Sequence, residues 1–315
     1  MKIVALAGGV GGAKLADGLA QLLPPKDLTI IVNTGDDFEH LGLSISPDLD
    51  TVCYTLAGLA NPETGWGRSG DTYHLMKSLA VLGGETWFRL GDQDLATHLE
   101  RTRRLRAGEP LSHITRAFCH AWGVRHTVLP MSDDPIRTMV DTLEYGELPF
   151  QEYFVHQRCE PIVKGFRFAG IESARPALGA LETVEIADAI VICPSNPWVS
   201  IDPILAVLKL RSSVVHRPSS IIAVSPIIGG KTVKGPAAKM YAELGVPPSA
   251  LAVAEHYRGL LTGFVLDYKD TGLEADIQKS GIKTLATNTF MKSQNDRRRL
   301  AEDVLNFIQI LRSAA

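Results

Sequence analysis

The sequence predicts an α/β protein built on a Rossmann-like parallel sheet, with a smaller inserted α+β domain. Residues 1–35 read as a buried strand, a helix and a second buried strand, which together make a βαβ unit. The same alternation of short apolar strands and helices returns after about residue 186. We therefore expect one core built from residues 1–59 and 186–315, and an insertion over residues 60–185.

The N-terminal unit is the most regular part of the sequence. The apolar run KIVALAG ends in glycines and has the length of a buried parallel strand. Apolar residues at helical spacing follow it, and Pro24 and Pro25 end that helix. The run LTIIVN is the second strand, so the crossover between the two strands is expected to be right-handed.

The middle of the chain has a different pattern. The segments GDQDLATHLERTRRLRAG and LSHITRAFCHAWG have a helical period, and Asp92 is the expected cap of the first helix. The segment RTMVDTLEYGELPFQEYFVHQ alternates like paired antiparallel strands, with Gly146 in the turn. After residue 186, the expected strands are ADAIVIC, SSIIAVS, GFVLDY and IKTLATN, and an amphipathic helix over about 292–310 ends the chain.

Composition and charge exclude several classes of protein. The chain has 315 residues, 45% hydrophobic and 21% charged, which is typical of a globular protein. A formal net charge of -3 gives no general attraction to nucleic acid or to an anionic membrane. No apolar run reaches the roughly 18–20 residues of a spanning helix. The four cysteines are far apart, which indicates neither a disulfide framework nor a zinc site, so we expect a cytoplasmic protein.

Four turns follow predicted strands, which is where open α/β sheets bind ligands. The first turn, GGVGGAK, brings backbone amides and a helix N-terminus together, as a phosphate site requires. It is not a Walker A loop, and Asn33 stands where a dinucleotide-binding strand ends in an acidic residue. Glycines that serve only tight packing are the alternative explanation.

The second turn is acidic. The segment NTGDDFEHLGLSISPDLD carries Asp36, Asp37, Asp48 and Asp50 at and beyond the end of the second strand. Carboxylates near a phosphate loop suit Mg²⁺, which prefers oxygen ligands and bridges to substrate phosphates. Capping is the alternative for each single aspartate, and Asp50 in particular could cap the helix that begins TVCYTLAG.

The third and fourth turns are PSNPWVS and SPIIGGKTVKG. The third offers the Ser195 hydroxyl and the Asn196 amide, and the fourth places Lys231 and Lys234 beside paired glycines. Two solvated surface lysines are the alternative for the fourth turn. Residue chemistry alone thus indicates a magnesium-assisted reaction on a nucleotide diphosphate or a similar ligand. It leaves kinase, nucleotidyl transferase, phosphotransferase and simple nucleotide binder open.

The order of the motifs is more specific than any one of them. Along the chain they closely resemble those of the 2-phospho-L-lactate transferase family of deazaflavin coenzyme biosynthesis. The resemblance runs from Met1 to the terminal helix. Its motifs are GGVGGAK, NTGDDFEHLGL, PDLDTVCYTLAG, RLGDQDLATHLERTRRL, PMSDDPIRT, PSNPWVSIDPIL and AVSPIIGGKTVKGPAAKM.

This resemblance implies a defined reaction in the synthesis of coenzyme F-420. Family members move a phospho-three-carbon-acid group, such as phospholactate or phosphoenolpyruvate, from a guanosine diphosphate conjugate to the ribityl hydroxyl of the deazaflavin Fo, and GMP leaves. The resemblance also implies Mg²⁺ as cofactor, a Rossmann-like core with an inserted domain, and a homodimer. A non-catalytic, nucleotide-sugar-binding regulator of related fold is the alternative from another class of protein.

The resemblance assigns the acceptor site to two residues, Asp50 and Arg89, which carry over as Fo contacts. We add His98, which shares a helix face with Arg101, although a lone histidine is more often an ordinary partly buried side chain. Asp50 is expected to align or deprotonate the ribityl hydroxyl.

The remaining roles come from the position of residues at strand ends. We expect Asp36 and Asp37 to act in catalysis together with Asp50, and we take Asp36, Asp37 and Asp48 as candidate metal ligands because they cluster in the sequence. The residues expected to bind the donor phosphates and nucleotide are Gly9, Gly11, Gly12, Lys14, Asn33, Ser195, Asn196, Lys231 and Lys234.

Overall fold

The structure is a computed structural model that describes residues 1–212 and 220–313. Residues 213–219 and 314–315 of the expected core, including the first serine of SSIIAVS, lie outside the described residues. The strands are β1 (Ile3–Ala7), β2 (Leu28–Val32), β3 (Phe38–His40), β4 (Leu43–Ile45), β5 (Thr127–Pro130), β6 (Arg137–Thr142), β7 (Gly146–Pro149), β8 (Val163–Ala169), β9 (Ala189–Ile192), β10 (Ser220–Val224), β11 (Ile227–Ile228), β12 (Lys231–Thr232), β13 (Gly263–Asp267) and β14 (Lys283–Thr287).

Helices connect most of these strands. The α-helices are α1 (Gly9–Leu22), α2 (Pro47–Leu56), α3 (His74–Val81), α4 (Asp92–Arg106), α5 (Leu111–Ala121), α6 (Ala180–Glu185), α7 (Asp202–Val207), α8 (Ala237–Glu243), α9 (Ala250–His256), α10 (Glu274–Gln278) and α11 (Gln294–Ser313). Short 3₁₀ segments lie at Pro25–Asp27 and Tyr268–Leu273, and single π turns at Glu152–His156 and Pro197–Ile201.

Seven strands form one parallel sheet in the order β14-β13-β10-β9-β1-β2-β5. Strand β1 lies inside the sheet and pairs with β2 on one side and with β9 on the other. The chain first builds the sheet from β1 toward β5, and it later builds from β9 toward β14. The order therefore reverses between β1 and β9, which is where open α/β sheets bind their ligands. The predicted parallel α/β core is confirmed.

The central strands are buried along their whole length. Every residue of β1, β9, β10 and β13 is buried, as expected for strands covered on both faces. Helices α1 and α11 pack over one face, together with part of α2. Helices α6, α7 and α9 pack over the other face. The early apolar run and the terminal amphipathic helix thus meet in the same layer.

The segment over 60–185 contributes one strand to the central sheet. Strand β5 lies inside this range and pairs in parallel with β2, so the expected insertion is not wholly separate from the core. The apolar run at β5 has only four residues, which gives little periodicity to recognise. The rest of the range forms α3–α6 and an antiparallel sheet in the order β7-β6-β8.

Two local expectations in this range need correction. The predicted pairing of β6 with β7 is present, but residues 150–156 are helical and not extended, and β8 supplies the other partner of β6. The cap of α4 is Gly91, and Asp92 is the first helical residue. The Asp92 carboxylate accepts hydrogen bonds from the amides of His74 and Leu75, so it ties α4 to the start of α3.

Over the described ranges, we find no helix with the length and apolar character needed to cross a membrane.

Candidate active site

A cavity of about 690 Å³ opens where the sheet order reverses. Its walls come from the turns after β1, β2 and β9, the start of α2, the hairpin β11–β12, the loop after β14 and parts of the segments over 64–98 and 150–155. The predicted site residues that line it are Gly9, Gly11, Lys14, Asp36, Asp48, Asp50, Arg89, His98, Ser195, Asn196 and Lys234. Gly12, Asn33, Asp37 and Lys231 are not part of the lining.

The glycine turn brings the N-terminus of α1 to the cavity. Gly9 is the first helical residue and has a φ of 59°, a left-handed conformation that favours glycine. A Cβ on Gly11 would overlap the carbonyl oxygen of Pro194, and one on Gly12 would lie 2.7 Å from Ser195 Oγ. These two glycines are therefore required by close packing of α1 against the turn after β9. Packing and phosphate access both explain the motif.

Ser195 and Asn196 hold the turn after β9 in shape. The Ser195 hydroxyl accepts a hydrogen bond from the Gly8 amide at 3.1 Å and donates one to the Gly8 carbonyl at 2.8 Å. Asn196 Oδ1 accepts from the amide of Trp198 at 3.1 Å, so it caps the following π turn. Ser195 therefore joins the turn after β9 to the turn after β1, whereas Asn196 shapes the turn after β9 itself.

Asn33 lies behind the cavity and positions one of the aspartates. Its Nδ2 donates to Asp48 Oδ2 at 3.0 Å and to the Val199 carbonyl at 3.3 Å, and its Oδ1 accepts from the Gly35 amide at 2.8 Å. Asn33 is fully buried. A buried amide with all of these partners is a structural brace, so its effect on a ligand is transmitted by Asp48.

Asp36 and Asp48 are buried carboxyls on the cavity wall. Burial raises the pKa of Asp48 to about 6, although the Asn33 amide and the Gly9 amide oppose the shift. Burial, followed by the charge of Asp48, raises the pKa of Asp36 well above its usual value. Asp36 Oδ1 has no hydrogen-bond partner, and neither carboxyl has a salt bridge within the described residues.

Asp37 was expected beside these residues but lies behind them. Its Oδ2 accepts a hydrogen bond from the Ser46 hydroxyl at 2.7 Å. Burial raises the pKa of Asp37 to about 7, and the charge of Arg137 is the main opposing influence. Because Asp37 is not on the cavity wall, the structure does not bring it together with Asp36 and Asp48 at the surface that a ligand would meet.

A second acidic group lies where α2 faces α4. Asp50 and Tyr54 lie four residues apart on α2, and Asp94, His98 and Arg101 share one face of α4. The Tyr54 hydroxyl donates to Asp94 Oδ1 at 2.6 Å. Arg101 donates from Nη1 to Asp50 Oδ2 at 3.0 Å and from Nη2 to Asp50 Oδ1. Asp50 is therefore inside α2 and paired, and it is not a helix cap.

His98 lies between the two carboxylates of this group. Its Nδ1 is 3.2 Å from Arg101 Nη1, which can only donate, so Nδ1 accepts and the ring proton is assigned to Nε2. Nε2 then faces Asp94 Oδ2 at 3.5 Å. Burial raises the pKa of Asp50, although Arg101 and His98 oppose it. Burial also acts to raise the pKa of Asp94, but the nearby His98 ring and the hydrogen bond from Tyr54 outweigh it and lower that pKa.

Asp50, Asp94 and His98 form a group that could hold a metal ion, since their ligand atoms lie within 4.8 Å of one another. This set differs from the predicted one, which was Asp36, Asp37 and Asp48. The Arg101 guanidinium already contacts both oxygens of Asp50, so a cation bound here would meet a buried positive charge. The Nε2 proton of His98 would also have to leave before that nitrogen could bind a metal.

Basic residues lie around the rim of the cavity. The Arg89 guanidinium is exposed and lies 4.4 Å from the centre of the Tyr73 ring. Lys14 Nζ donates to the Met291 carbonyl at 2.8 Å, and burial, then the charge of Arg297, lowers the pKa of Lys14. Lys234 Nζ donates to the Thr64 carbonyl, which closes a bridge across two cavity walls.

The paired-glycine turn before Lys231 is already occupied by a carboxylate. The amide of Gly229 donates to Asp270 Oδ2 at 3.0 Å, so it is not free for a phosphate. Lys231 itself is exposed and lies outside the cavity lining. Of the two predicted lysines of this turn, the structure therefore brings only Lys234 to the cavity.

Sequence reasoning missed several residues of the site. Tyr54 and Asp94 line the cavity, and the matching four-residue spacings on α2 and α4 were the available signal. The aromatic wall had no local signal, because its members come from distant segments. They are Trp66, Trp87, Phe88, Phe150 and Phe154.

Comparison with known proteins identifies the family. Residues 3–307 match the family model described as 2-phospho-L-lactate transferase CofD, so the chain belongs to this family, as the motifs predicted. It is 43% identical to a phosphoenolpyruvate transferase of Streptomyces griseus, over 99% of this chain and 100% of the relative. It is 38% identical to a 2-phospho-L-lactate transferase of Methanosarcina acetivorans, over 96% and 98% of the two chains.

A solved structure supports the fold. A crystal structure of a upf0052 family protein from Bacillus halodurans superposes with a TM-score of 0.60 and 16% sequence identity, over 96% of this chain and 98% of that chain. At that identity the likeness concerns the fold alone. Membership of a transferase family favours an enzyme over the alternative of a non-catalytic regulator.

Proposed function

We propose that this protein transfers a phospho-three-carbon-acid group from a guanosine diphosphate conjugate to the ribityl hydroxyl of the deazaflavin Fo. The observation that carries the proposal is the cavity at the sheet reversal, in a chain that belongs throughout to the 2-phospho-L-lactate transferase family. This cavity joins a helix N-terminus to buried carboxyls and an aromatic wall, and a phosphorylated donor and a flat ring acceptor need those features.

The transfer forms one phosphodiester bond and breaks one phosphoanhydride bond. The hydroxyl oxygen of Fo attacks the phosphorus that bears the three-carbon acid, and the hydroxyl proton is released. The bond from that phosphorus to the bridging oxygen breaks, and GMP leaves with the electron pair. Such reactions depend mainly on positioning and charge neutralisation, so no covalent nucleophile is needed.

The donor phosphates are assigned to the α1 side of the cavity. The N-terminus of α1 begins at Gly9 and offers backbone amides and the positive end of the helix dipole. Lys14 and Lys234 lie on the same lining and supply positive charge to the diphosphate. Ser195 and Asn196 support this wall and set the width of the nucleotide cleft.

The acceptor is assigned to the α2–α4 side. In this assignment, Asp50 accepts a hydrogen bond from the ribityl hydroxyl and Arg89 binds the polar edge of the ring system. His98 completes the wall. The aromatic side chains nearby, including Trp87 and Phe88, offer flat surfaces for a tricyclic ring.

Mg²⁺ is the cofactor that we propose, with Asp36 and Asp48 as the residues that would hold it. Asp36 Oδ1 is buried without a hydrogen-bond partner among the described residues, and burial raises the pKa of both carboxyls. A hard divalent cation would compensate the charge of these two buried carboxylates. The group at Asp50 is a poorer site for a cation, because Arg101 already pairs with that carboxylate. When bound, it supplies positive charge that offsets the charge of the donor phosphates.

The relatives favour phosphoenolpyruvate as the acid of the donor. Identity is 43% to the Streptomyces griseus phosphoenolpyruvate transferase and 38% to the Methanosarcina acetivorans 2-phospho-L-lactate transferase. Parallel assays with the two guanosine diphosphate conjugates test this choice by comparing kcat/KM.

We also propose a cytoplasmic homodimer, and light scattering of the purified protein tests the oligomeric state.

A titration with Fo, followed by its own fluorescence, tests the acceptor site. Saturable binding is expected, and Arg89→Ala and Asp50→Ala should each weaken it about tenfold. Arg103→Ala is the control, because Arg103 is exposed on the outer face of α4 and pairs with Glu100. The transferase proposal fails if Fo does not bind with or without Mg²⁺ and a guanosine diphosphate analogue, and the nucleotide-binding regulator then becomes the better account.

A further inference from the structure

Arg101 lies directly behind the acceptor wall of the cavity. Its side chain is 1% exposed and does not line the cavity, whereas its partner Asp50 does. We propose that Arg101 is a positioning residue for the transfer, which acts by fixing the orientation of the Asp50 carboxylate. The inference rests on the proposed function, because Asp50 is assigned there to the ribityl hydroxyl.

The contacts of Arg101 define the orientation of Asp50. The two terminal nitrogens of the guanidinium each donate to a different oxygen of Asp50. Such a two-point contact between planar groups sets the rotation of the carboxylate as well as its position. A lysine ammonium is a single point charge, so it cannot impose this constraint.

The guanidinium is itself held in place from other sides. Its Nη1 lies 3.3 Å from the Ser44 carbonyl of β4 and 3.2 Å from His98 Nδ1 on the same helix. Arg101, Asp50 and His98 are each less than one-tenth exposed, so little solvent is available to loosen the contacts. The Arg101 guanidinium is therefore fixed by contacts with both β4 and α4, and it in turn orients the Asp50 carboxylate on α2.

A purely structural role explains this arrangement less well. A buried ion pair contributes little net stability compared with apolar residues of the same size, because both charges lose their hydration. Joining α2 to α4 therefore does not require an arginine and an aspartate. The pair is explained if Asp50 must hold its carboxylate in a defined orientation toward the cavity. Each carboxylate oxygen can still accept a hydrogen bond from a ligand in addition to the one from Arg101.

The test compares Arg101→Lys with Arg104→Lys. Arg104 is a matched control, because it lies on the same helix, makes a two-point contact with Glu109 and is absent from the cavity lining. Arg101→Lys should lower kcat by about 100-fold, since a misplaced reacting group costs that much. KM for the donor should change less than about threefold, because the donor binds on the α1 side. Arg104→Lys should leave both constants unchanged.

A double-mutant cycle with Asp50 separates positioning from other roles. In an Asp50→Asn background, Arg101→Lys should change the single-turnover rate by less than about threefold, because Arg101 then has no carboxylate to orient. Single-turnover reactions with enzyme in excess keep slow variants measurable. Melting temperatures are recorded for every variant, so that rates refer to folded protein.

The outcomes separate this inference from the proposed function. If the wild-type protein releases no GMP, both the proposed function and the inference are overturned. If the wild-type protein turns over and Arg101→Lys only lowers the melting temperature, Arg101 is structural and the inference alone is wrong. Equal effects of Arg101→Lys in the two backgrounds would overturn it as well.

Discussion

The two sides of the cavity treat buried negative charge in opposite ways. On the α2–α4 side, Asp50 is paired with Arg101, and Asp94 accepts a hydrogen bond from Tyr54. On the α1 side, Asp36 after β2 and Asp48 in the first turn of α2 are buried without a salt bridge in the part of the chain that the structure describes, and their pKa values are raised.

This difference separates what the protein supplies from what it must bind. The α2–α4 side has its counter-charge built into the fold, so an uncharged hydroxyl can meet a carboxylate that is already oriented. The α1 side carries carboxyls whose ionisation is disfavoured until a positive charge binds beside them. We therefore expect the acceptor side to be formed in the free protein and the donor side to be completed by a divalent cation.

The largest expected effect comes from breaking the close packing of α1 against the turn after β9. Gly11→Ala should destabilise the fold by about 3 kcal/mol, because the new Cβ overlaps the Pro194 carbonyl and neither backbone can move easily. Urea denaturation measures the free energy of unfolding. Gly272→Ala is the control, since a Cβ there meets no atom of the described residues within 4 Å. Equal stability of the two variants would contradict the close packing of α1 on the turn after β9.

Asp36→Asn should separate activity from stability on the cation side. Turnover should fall by about 100-fold, because the variant lacks one of the two carboxylates that would hold the Mg²⁺ beside the donor diphosphate. The melting temperature without metal should stay the same or rise, because a buried ionisable group is replaced by a neutral one of similar shape. Asp276→Asn, at an exposed surface pair, is the control. Loss of stability together with unchanged turnover would contradict the assignment of Asp36 to cation binding.

Lys234→Ala and Lys231→Ala sharpen the boundary of the donor side. Lys234 lies on the cavity lining and Lys231 does not, although only three residues separate them. Lys234→Ala should raise KM for the donor about tenfold, as expected for one charge-assisted hydrogen bond, while Fo binding is retained. Lys231→Ala should leave KM within about twofold. The opposite ranking would show that the hairpin β11–β12 approaches the donor differently.

The smallest expected effect is a pH dependence of stability in metal-free protein. The pKa is about 7 for Asp37 and about 6 for Asp48 in the folded protein, against a usual value of 3.8. Between pH 3.8 and the folded pKa of each group, the folded state therefore binds more protons than the unfolded state. This contribution to stability is complete below pH 3.8, and it is lost as the pH rises through about 6 for Asp48 and about 7 for Asp37.

Thermal melting in EDTA at pH 5 and pH 8 checks the sign of this effect. The melting temperature should be lower by a few degrees at pH 8, and Mg²⁺ should reduce the difference. Asp37→Asn should also reduce it. A melting temperature that rises over this interval would mean that these carboxyls have partners that offset their burial.

The βαβ unit and the strand-end turns could be predicted because their causes are local. Apolar runs of strand length, a helical period and glycines between them are properties of neighbouring residues, and the strand-end rule then places the turns on one edge. The same reasoning found Asp36, Asp48 and Asp50, all of which line the cavity.

The remaining features depend on contacts between distant segments. Asn33 was expected at the nucleotide cleft, but it is a buried brace because Val199 and Asp48 reach it from other elements. The paired-glycine turn resembled a phosphate site, but Asp270 occupies the Gly229 amide. Strand β5 is too short to be recognised without its partner β2.

Turnover with defined substrates tests the central claim most directly. The protein is incubated with Fo, Mg²⁺ and the guanosine diphosphate conjugate of phosphoenolpyruvate, and GMP and the Fo phosphodiester are quantified by mass spectrometry. We predict that both products appear in equal amounts, and only when Fo is present. No GMP at saturating Fo, or GMP release that is independent of Fo, would contradict the account.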